Sequence, residues 1–78
     1  MNTHEAELEQ ELLRLGQQEL ELESRMAILR RRAKDAGMEH RFEESDLAWE
    51  LFERARETLN NLQSEIVKIE RRLYALRR

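Results

Sequence analysis

Apolar side chains recur along the first half of the chain at alternating steps of four and three residues. This spacing keeps them on one stripe of a helix and is typical of a coiled coil. Glu19 is the single polar residue at a stripe position. The stripe consists of Leu8, Leu12, Leu15, Leu22, Met26, Leu29, Ala33 and Ala36.

Residues at both ends of this stripe indicate where the first helix begins and ends. Asn2 and Glu5 have the three-residue spacing of a capping box, in which two side chains satisfy free backbone amides. Gly37 is suited to the left-handed position after a helix, and Met38 can then fold back on Ala33 in a Schellman-type close. We therefore expect helix 1 over residues 3–36.

A second stripe with the same spacing occupies the other half of the chain without a break. It predicts helix 2 over residues 45–77, with Ser45 as a good N-cap. Phe42, seven residues before Trp49, also fits an earlier first turn, so the connection is residues 37–44 or a shorter turn of about 37–40. The stripe is Ala48, Phe52, Ala55, Leu59, Leu62, Ile66, Ile69, Leu73 and Leu76.

The two stripes agree on one antiparallel pairing. In an antiparallel hairpin the numbers of facing residues have a constant sum, and here that sum is 81, from Leu8 with Leu73 to Ala33 with Ala48. The centre of symmetry falls between His40 and Arg41, inside the expected turn. The predicted fold is all-α: one domain, residues 1–78, forming an antiparallel two-helix coiled-coil hairpin with arms about 50 Å long.

Charge supports the same pairing. Residues 5–23 carry seven acids and one arginine and would lie beside residues 68–78, which carry five bases and one glutamate. Residues 25–34 carry five bases and no acid, and would lie beside the acidic residues 43–57. Weak pairs of this kind select orientation more than they stabilise it. The expected cross-helix pairs are Glu9 with Arg77, Glu11 with Arg72, and Glu23 with Arg56.

Several apolar residues lie outside the seam and share one broad side of the hairpin. Gly16 lies among them, and a glycine inside a helix lowers helix stability unless another backbone approaches it closely. Such a face predicts a second packing surface, which would close a homodimeric four-helix bundle or receive a helix of another protein. The other side is expected to be polar, relieved only by Ile28 and Leu51. The predicted interface is Leu13, Gly16, Leu20, Ala27, Phe42, Trp49, Val67 and Tyr74.

Four basic residues in five positions, Arg30, Arg31, Arg32 and Lys34, raise the question of nucleic-acid binding. Consecutive helical residues point about 100° apart, so the three arginines do not form one phosphate-binding stripe. No aromatic residues are interleaved to stack on bases. We interpret the cluster as charge suited to a helix C-terminus and to the acidic second helix. A dimer that binds RNA or DNA through its arginine-rich ends is the alternative.

The residues for catalysis or for a cofactor are not in the sequence. There is no cysteine, and the two histidines, His4 and His40, are expected at opposite ends of the rod. No glycine-rich phosphate loop, nucleophile triad or paired-carboxylate site is visible. We expect no enzyme activity, cofactor, metal or small-molecule substrate. No apolar run approaches the roughly 20 residues that span a bilayer, so a cytoplasmic protein is expected.

In architecture the chain resembles small helical hairpins, among them plasmid copy-control RNA-binding dimers, sporulation-phosphatase hairpins and co-chaperones of type III secretion needle subunits. The Ser-x-x-Leu-Asp signature of the phosphatase hairpins is not matched by the segment beginning at Ser45. No family is assigned. The expected function is a non-enzymatic protein–protein interaction module, an adaptor, chaperone-like or regulatory hairpin.

Overall fold

The computed structural model describes residues 3–78 and contains two long helices within that range. Helix α1 is Thr3–Met38 and helix α2 is Phe42–Leu76, of 36 and 35 residues. They pack side by side as an antiparallel hairpin, a rod of 58 × 15 × 13 Å. The all-α two-helix prediction is therefore confirmed. Asn2, half of the predicted capping box, lies outside the described residues.

The buried side chains follow the predicted seam. Leu8 and Leu73, at the open end, and Ala33 and Ala48, near the turn, are all buried, as their constant number sum requires. Leu15 is the most deeply buried large side chain, at 2% exposed. Many seam leucines and isoleucines remain only half-buried, because a single neighbouring helix covers one stripe of a cylinder. The seam register is confirmed along the length of the rod.

Small residues form the seam beside the turn. Ala36 is buried at 3% exposed and lies level with Ser45. The Ser45 hydroxyl, itself buried, donates a 2.8 Å hydrogen bond across the seam to the carbonyl oxygen of Ala33. The prediction of Ser45 as an N-cap is wrong. Helix α2 begins three residues earlier, and this adds a seam layer that a turn over residues 37–44 would have left unpacked.

The turn is a Schellman motif, but it lies three residues later than predicted. His40 is its left-handed residue, with φ 63°, while Gly37 is helical. The Arg41 amide donates to the Ala36 carbonyl at 2.8 Å, and the His40 amide donates to the Gly37 carbonyl at 3.2 Å, the two hydrogen bonds that define this motif. Met38 is 80% exposed and does not fold back.

The prediction of Gly37 as the residue that follows helix 1 is therefore wrong, and the predicted turn of about 37–40 is closer to the structure than 37–44. Three residues, 39–41, connect the helices. Arg41 pairs with Glu39 at 2.7 Å and with Glu44 at 2.5 Å. Glu43 and Glu44 lie in the first turn of α2, where carboxylates suit the positive end of the helix dipole.

One of the three expected cross-helix ion pairs forms. Arg77 pairs with Glu9 and also, at 2.8 Å, with Glu5, so one guanidinium joins the open ends of both helices. These two carboxylates raise the pKa of Arg77, the hydrogen bond that Arg77 donates to Glu5 being the largest cause.

The other two expected pairs are wrong because a partner on the same helix is nearer. Glu11 pairs with Arg14 rather than Arg72, and this hydrogen bond lowers the pKa of the Glu11 carboxyl. Arg56 pairs with Glu53 at 3.1 Å instead of with Glu23. Residues three apart on a helix are neighbours, so these pairs form without ordering a second helix.

Replacing Leu15 by alanine should destabilise the hairpin by about 2–4 kcal/mol, since it removes buried carbons and leaves a cavity in the seam. Met38→Ala, at an exposed position, is the control and should change stability little. Urea titration followed by circular dichroism measures both. Equal effects of the two substitutions would contradict the seam as the source of stability.

The turn yields a second prediction. His40→Gly should stabilise by about 0.5–1 kcal/mol, because glycine adopts a positive φ without the strain of a Cβ atom. Gly37→Ala should also stabilise, since this position is helical and the added Cβ would meet only the Ser45 hydroxyl, at 3.4 Å. Thermal melts of the two variants test the turn. A loss of stability in His40→Gly would contradict the left-handed residue being His40.

Candidate interaction surface

The confirmed seam register fixes which residues share the neighbouring side of the rod. Each helix has two positions of the seven-residue repeat that flank the seam on a given side. In an antiparallel pair, the flanking positions of both helices lie on the same side of the rod. We call this side the apolar face. It carries all eight predicted interface residues: Leu13, Gly16, Leu20, Ala27, Phe42, Trp49, Val67 and Tyr74.

The large side chains of the apolar face are exposed in the single hairpin. Leu13 and Tyr74 are each 69% exposed, Leu20 is 64%, Phe42 is 62% and Val67 is 43%. Single exposed apolar residues are ordinary on a protein surface. Five on one side of a rod only 15 Å wide are a concentrated apolar surface.

Aromatic rings lie at both ends of this face. Near the turn, Trp49 is half-buried and packs edge-on against Phe52, with ring centroids 5.5 Å apart. The Phe42 ring lies 5.7 Å from the His40 ring. At the open end, the Arg78 guanidinium lies over the ring of Tyr74 at 5.5 Å. The rings are held by local contacts while their outer surfaces stay open.

Nothing within the hairpin requires a glycine at position 16. It is helical, and a Cβ atom built on it would meet nothing within 4 Å. Glycine in a helix interior costs roughly 0.5–1 kcal/mol relative to alanine. The space above Gly16 is therefore open, and a close neighbour there would have to come from outside the hairpin.

The other side of the rod is less polar than expected. Leu47 is 57% exposed and Ile28 55%. Together with the half-buried Leu51 they lie along adjoining grooves near the turn; the one lined by Leu47 and Leu51 has a volume of about 420 Å³, and Arg32 borders it. Sequence reasoning missed Leu47. Two features of the sequence indicate it. Leu47 precedes Leu51 by four residues, which puts both on one side of α2, and the pairing rule sets Leu51 almost level with Ile28 on α1.

The two sides also meet across the outside of α1. Leu20, on the apolar face, borders the same shallow depression as Ser24, Ile28 and Leu51. The expectation of one apolar and one polar side is therefore too simple. Apolar surface continues around α1 near its middle.

The basic cluster is solvent-exposed. The side chains of this cluster form no ion pair among residues 3–78; the cluster is Arg30, Arg31, Arg32 and Lys34. The cluster also lies before the last turn of α1, which contains Asp35 and no base. The interpretation as helix-end and cross-helix charge therefore has no direct contact behind it.

Glu19 is the one charged residue at a seam position of the two described helices. It is half-exposed, and its carboxylate accepts a 3.1 Å hydrogen bond from the side-chain amide of Gln63 on α2. A carboxylate at the edge of the seam that reaches a partner and solvent is satisfied without a ligand.

No group of three or more potential metal ligands occurs among the described residues. His4 lies in the first turn of α1 and His40 in the connecting turn, so the histidines are at opposite ends of the rod. Neither described helix has the length and apolar character needed to cross a membrane. The surface of residues 3–78 offers exposed apolar area and basic charge.

Comparison with known proteins yields no relative: no family model, no curated protein and no solved structure matches this chain.

Proposed function

We propose that this protein is a non-enzymatic protein–protein interaction module that acts through the apolar face. Two hairpins would pack by this face into a homodimeric four-helix bundle. The observation that carries the proposal is the exposure of five large apolar side chains on one side of a folded two-helix rod. The proposal assigns no substrate or cofactor.

The surface area of the hairpin supports this proposal. The chain exposes 6354 Å², about 1,300 Å² more than the roughly 5,000 Å² expected for a compact monomer of 9.5 kDa. A standard protein–protein interface covers about 800 Å² on each partner. The excess is therefore large enough for one such interface.

Burial energetics point the same way. Covering a large apolar side chain contributes about 1.5–3 kcal/mol relative to leaving it in water. Leu13, Leu20 and Tyr74 each keep more than 60% of their surface exposed, so most of this stabilisation is still to be gained. A second hairpin would also bring a backbone into the open space above Gly16.

A helix of another protein would suit the same face if the hairpin is monomeric. The function would then be that of a chaperone or adaptor that shields a partner's amphipathic helix. The measured mass of the purified protein separates these two forms of the proposal.

A second candidate function, RNA or DNA binding, is supported by the basic cluster Arg30, Arg31, Arg32 and Lys34, whose side chains form no ion pair within residues 3–78. Unpaired cations are free to contact phosphates. The net charge of −3 opposes it. Nucleic-acid binding therefore ranks below protein interaction.

The double substitution Leu20→Glu with Val67→Glu should leave the helices formed but convert a dimer of about 19 kDa, twice 9.5 kDa, into a monomer. Buried carboxylates without partners are costly in an interface, whereas in the single hairpin both positions are exposed. Light scattering after gel filtration measures the mass, and circular dichroism measures helix content.

The matched control is Ile28→Glu with Leu47→Glu on the other side of the rod, which should keep the dimeric mass. A wild-type mass of 9.5 kDa at tens of micromolar would exclude the homodimer and leave the foreign helix. Loss of the dimer in the control but not in the test variant would move the interface to the other side.

Nucleic-acid binding is expected to be weak, salt-sensitive and independent of sequence. Substituting Arg30, Arg31 and Arg32 together by glutamate should leave the mass unchanged and abolish any residual binding in fluorescence anisotropy. Sub-micromolar binding of one particular RNA or DNA at about 150 mM salt, lost in this variant while the fold is kept, would promote the second candidate over the first.

A further inference from the structure

We infer that the second hairpin packs with its turn at the opposite end of the bundle, about a two-fold axis that crosses α1 at Leu20. This inference rests on the proposed homodimer and specifies its geometry. A two-fold axis can relate two hairpins packed face to face in two ways. Either the turns are together and α1 lies on the partner's α2, or the turns are opposite and like helices lie antiparallel on each other.

The surface of α1 is palindromic about Leu20. One turn away on either side are small residues, Gly16 and Ser24, and seven residues away are the apolar Leu13 and Ala27. Leu20 and Ser24 border the same open depression. An antiparallel contact between two copies of α1 therefore sets leucine against leucine at the centre, Gly16 against Ser24 beside it, and Leu13 against Ala27 further out.

The same axis gives consistent contacts on α2. Residues whose numbers sum to 81 lie level in the hairpin, so an axis at Leu20 passes α2 at Asn61. Residue 49 then comes level with residue 73 of the second copy, which sets Trp49 beside the partner's Tyr74. The two aromatic ends of the apolar face would thus cover each other, and no separate adjustment of register is needed.

With the turns together, Leu13 would lie level with the partner's Val67, but Leu20 and Trp49 would meet polar residues of the face. Leu20 would then lie level with the partner's Asn60, and Trp49 level with the segment between the partner's Arg30 and Lys34. Apolar side chains would be buried against polar groups that lack partners, which is unfavourable. The apolar match therefore selects the arrangement with turns at opposite ends.

Charge and length are compatible with this choice. The basic residues 25–34 of α1 would lie against residues 6–15 of the second copy, which carry three glutamates and one arginine. The acidic residues 43–57 would lie against the basic C-terminal part of α2, near Arg71 and Arg72. Leu20 is at the midpoint of Thr3–Met38, so the two hairpins overlap along nearly their full lengths.

The test uses spin labels on the full chain, which contains no cysteine of its own. A label on Met38→Cys, an exposed site beside the turn, should give a label-to-label distance of about 54 Å, since 18 residues at 1.5 Å separate it from the axis on each side. With the turns together, the distance would stay within about 30 Å, the combined width of two rods each 15 Å across. Pulsed electron spin resonance separates these values.

Leu20→Cys should in addition form a disulfide-linked dimer on mild oxidation, while Ile28→Cys, the matched control, should not. The long distance together with the Leu20 cross-link supports the inference. A dimeric mass with a distance below 30 Å, or a long distance without the Leu20 cross-link, overturns this geometry and leaves the homodimer standing. A monomeric mass at labelling concentrations overturns the homodimer itself.

Discussion

The register of the two-helix seam is the constraint on which the rest of the molecule depends. Each layer pairs residues whose numbers sum to 81, and this rule holds from Leu8 with Leu73 to Ala36 with Ser45. The register determines the position of the turn, because the helices extend just beyond the last layer and three residues, 39–41, then connect them. It also determines which apolar residues the hairpin leaves uncovered.

The seam could be predicted from sequence because it is set by one periodic property, hydrophobicity, repeated along each helix. The turn could not, because it depends on a competition between a preferred residue and one more packed layer. Gly37 is intrinsically suited to the left-handed position, yet His40 occupies it. Extending the helices buries Ala36 and Ser45 and adds the hydrogen bond to Ala33, which together outweigh the strain at His40.

Charge was predictable as a distribution but less so as individual pairs. The opposed acidic and basic stretches lie beside each other in the hairpin, whereas the paired arginines each contact a nearby carboxylate. Arg77 reaches across to Glu9 and Glu5, while Arg14 and Arg56 pair along their own helices. The members of the apolar face follow from the register, and the exposed Leu47 on the other side could also have been found from its four-residue spacing to Leu51.

The seam changes from small residues at the turn to large ones at the open end, and this has a consequence for the order of folding. Ala36 and Ser45 are only nine residues apart in the chain, so closing that loop costs little conformational entropy. Each further layer, out to Leu8 with Leu73, forms next to one that is already closed, so only a short additional segment has to be ordered. The hairpin should therefore close like a zipper from the turn, with a low contact order near its start and rapid folding. Arg77, joined to Glu5 and Glu9, then closes the last layer.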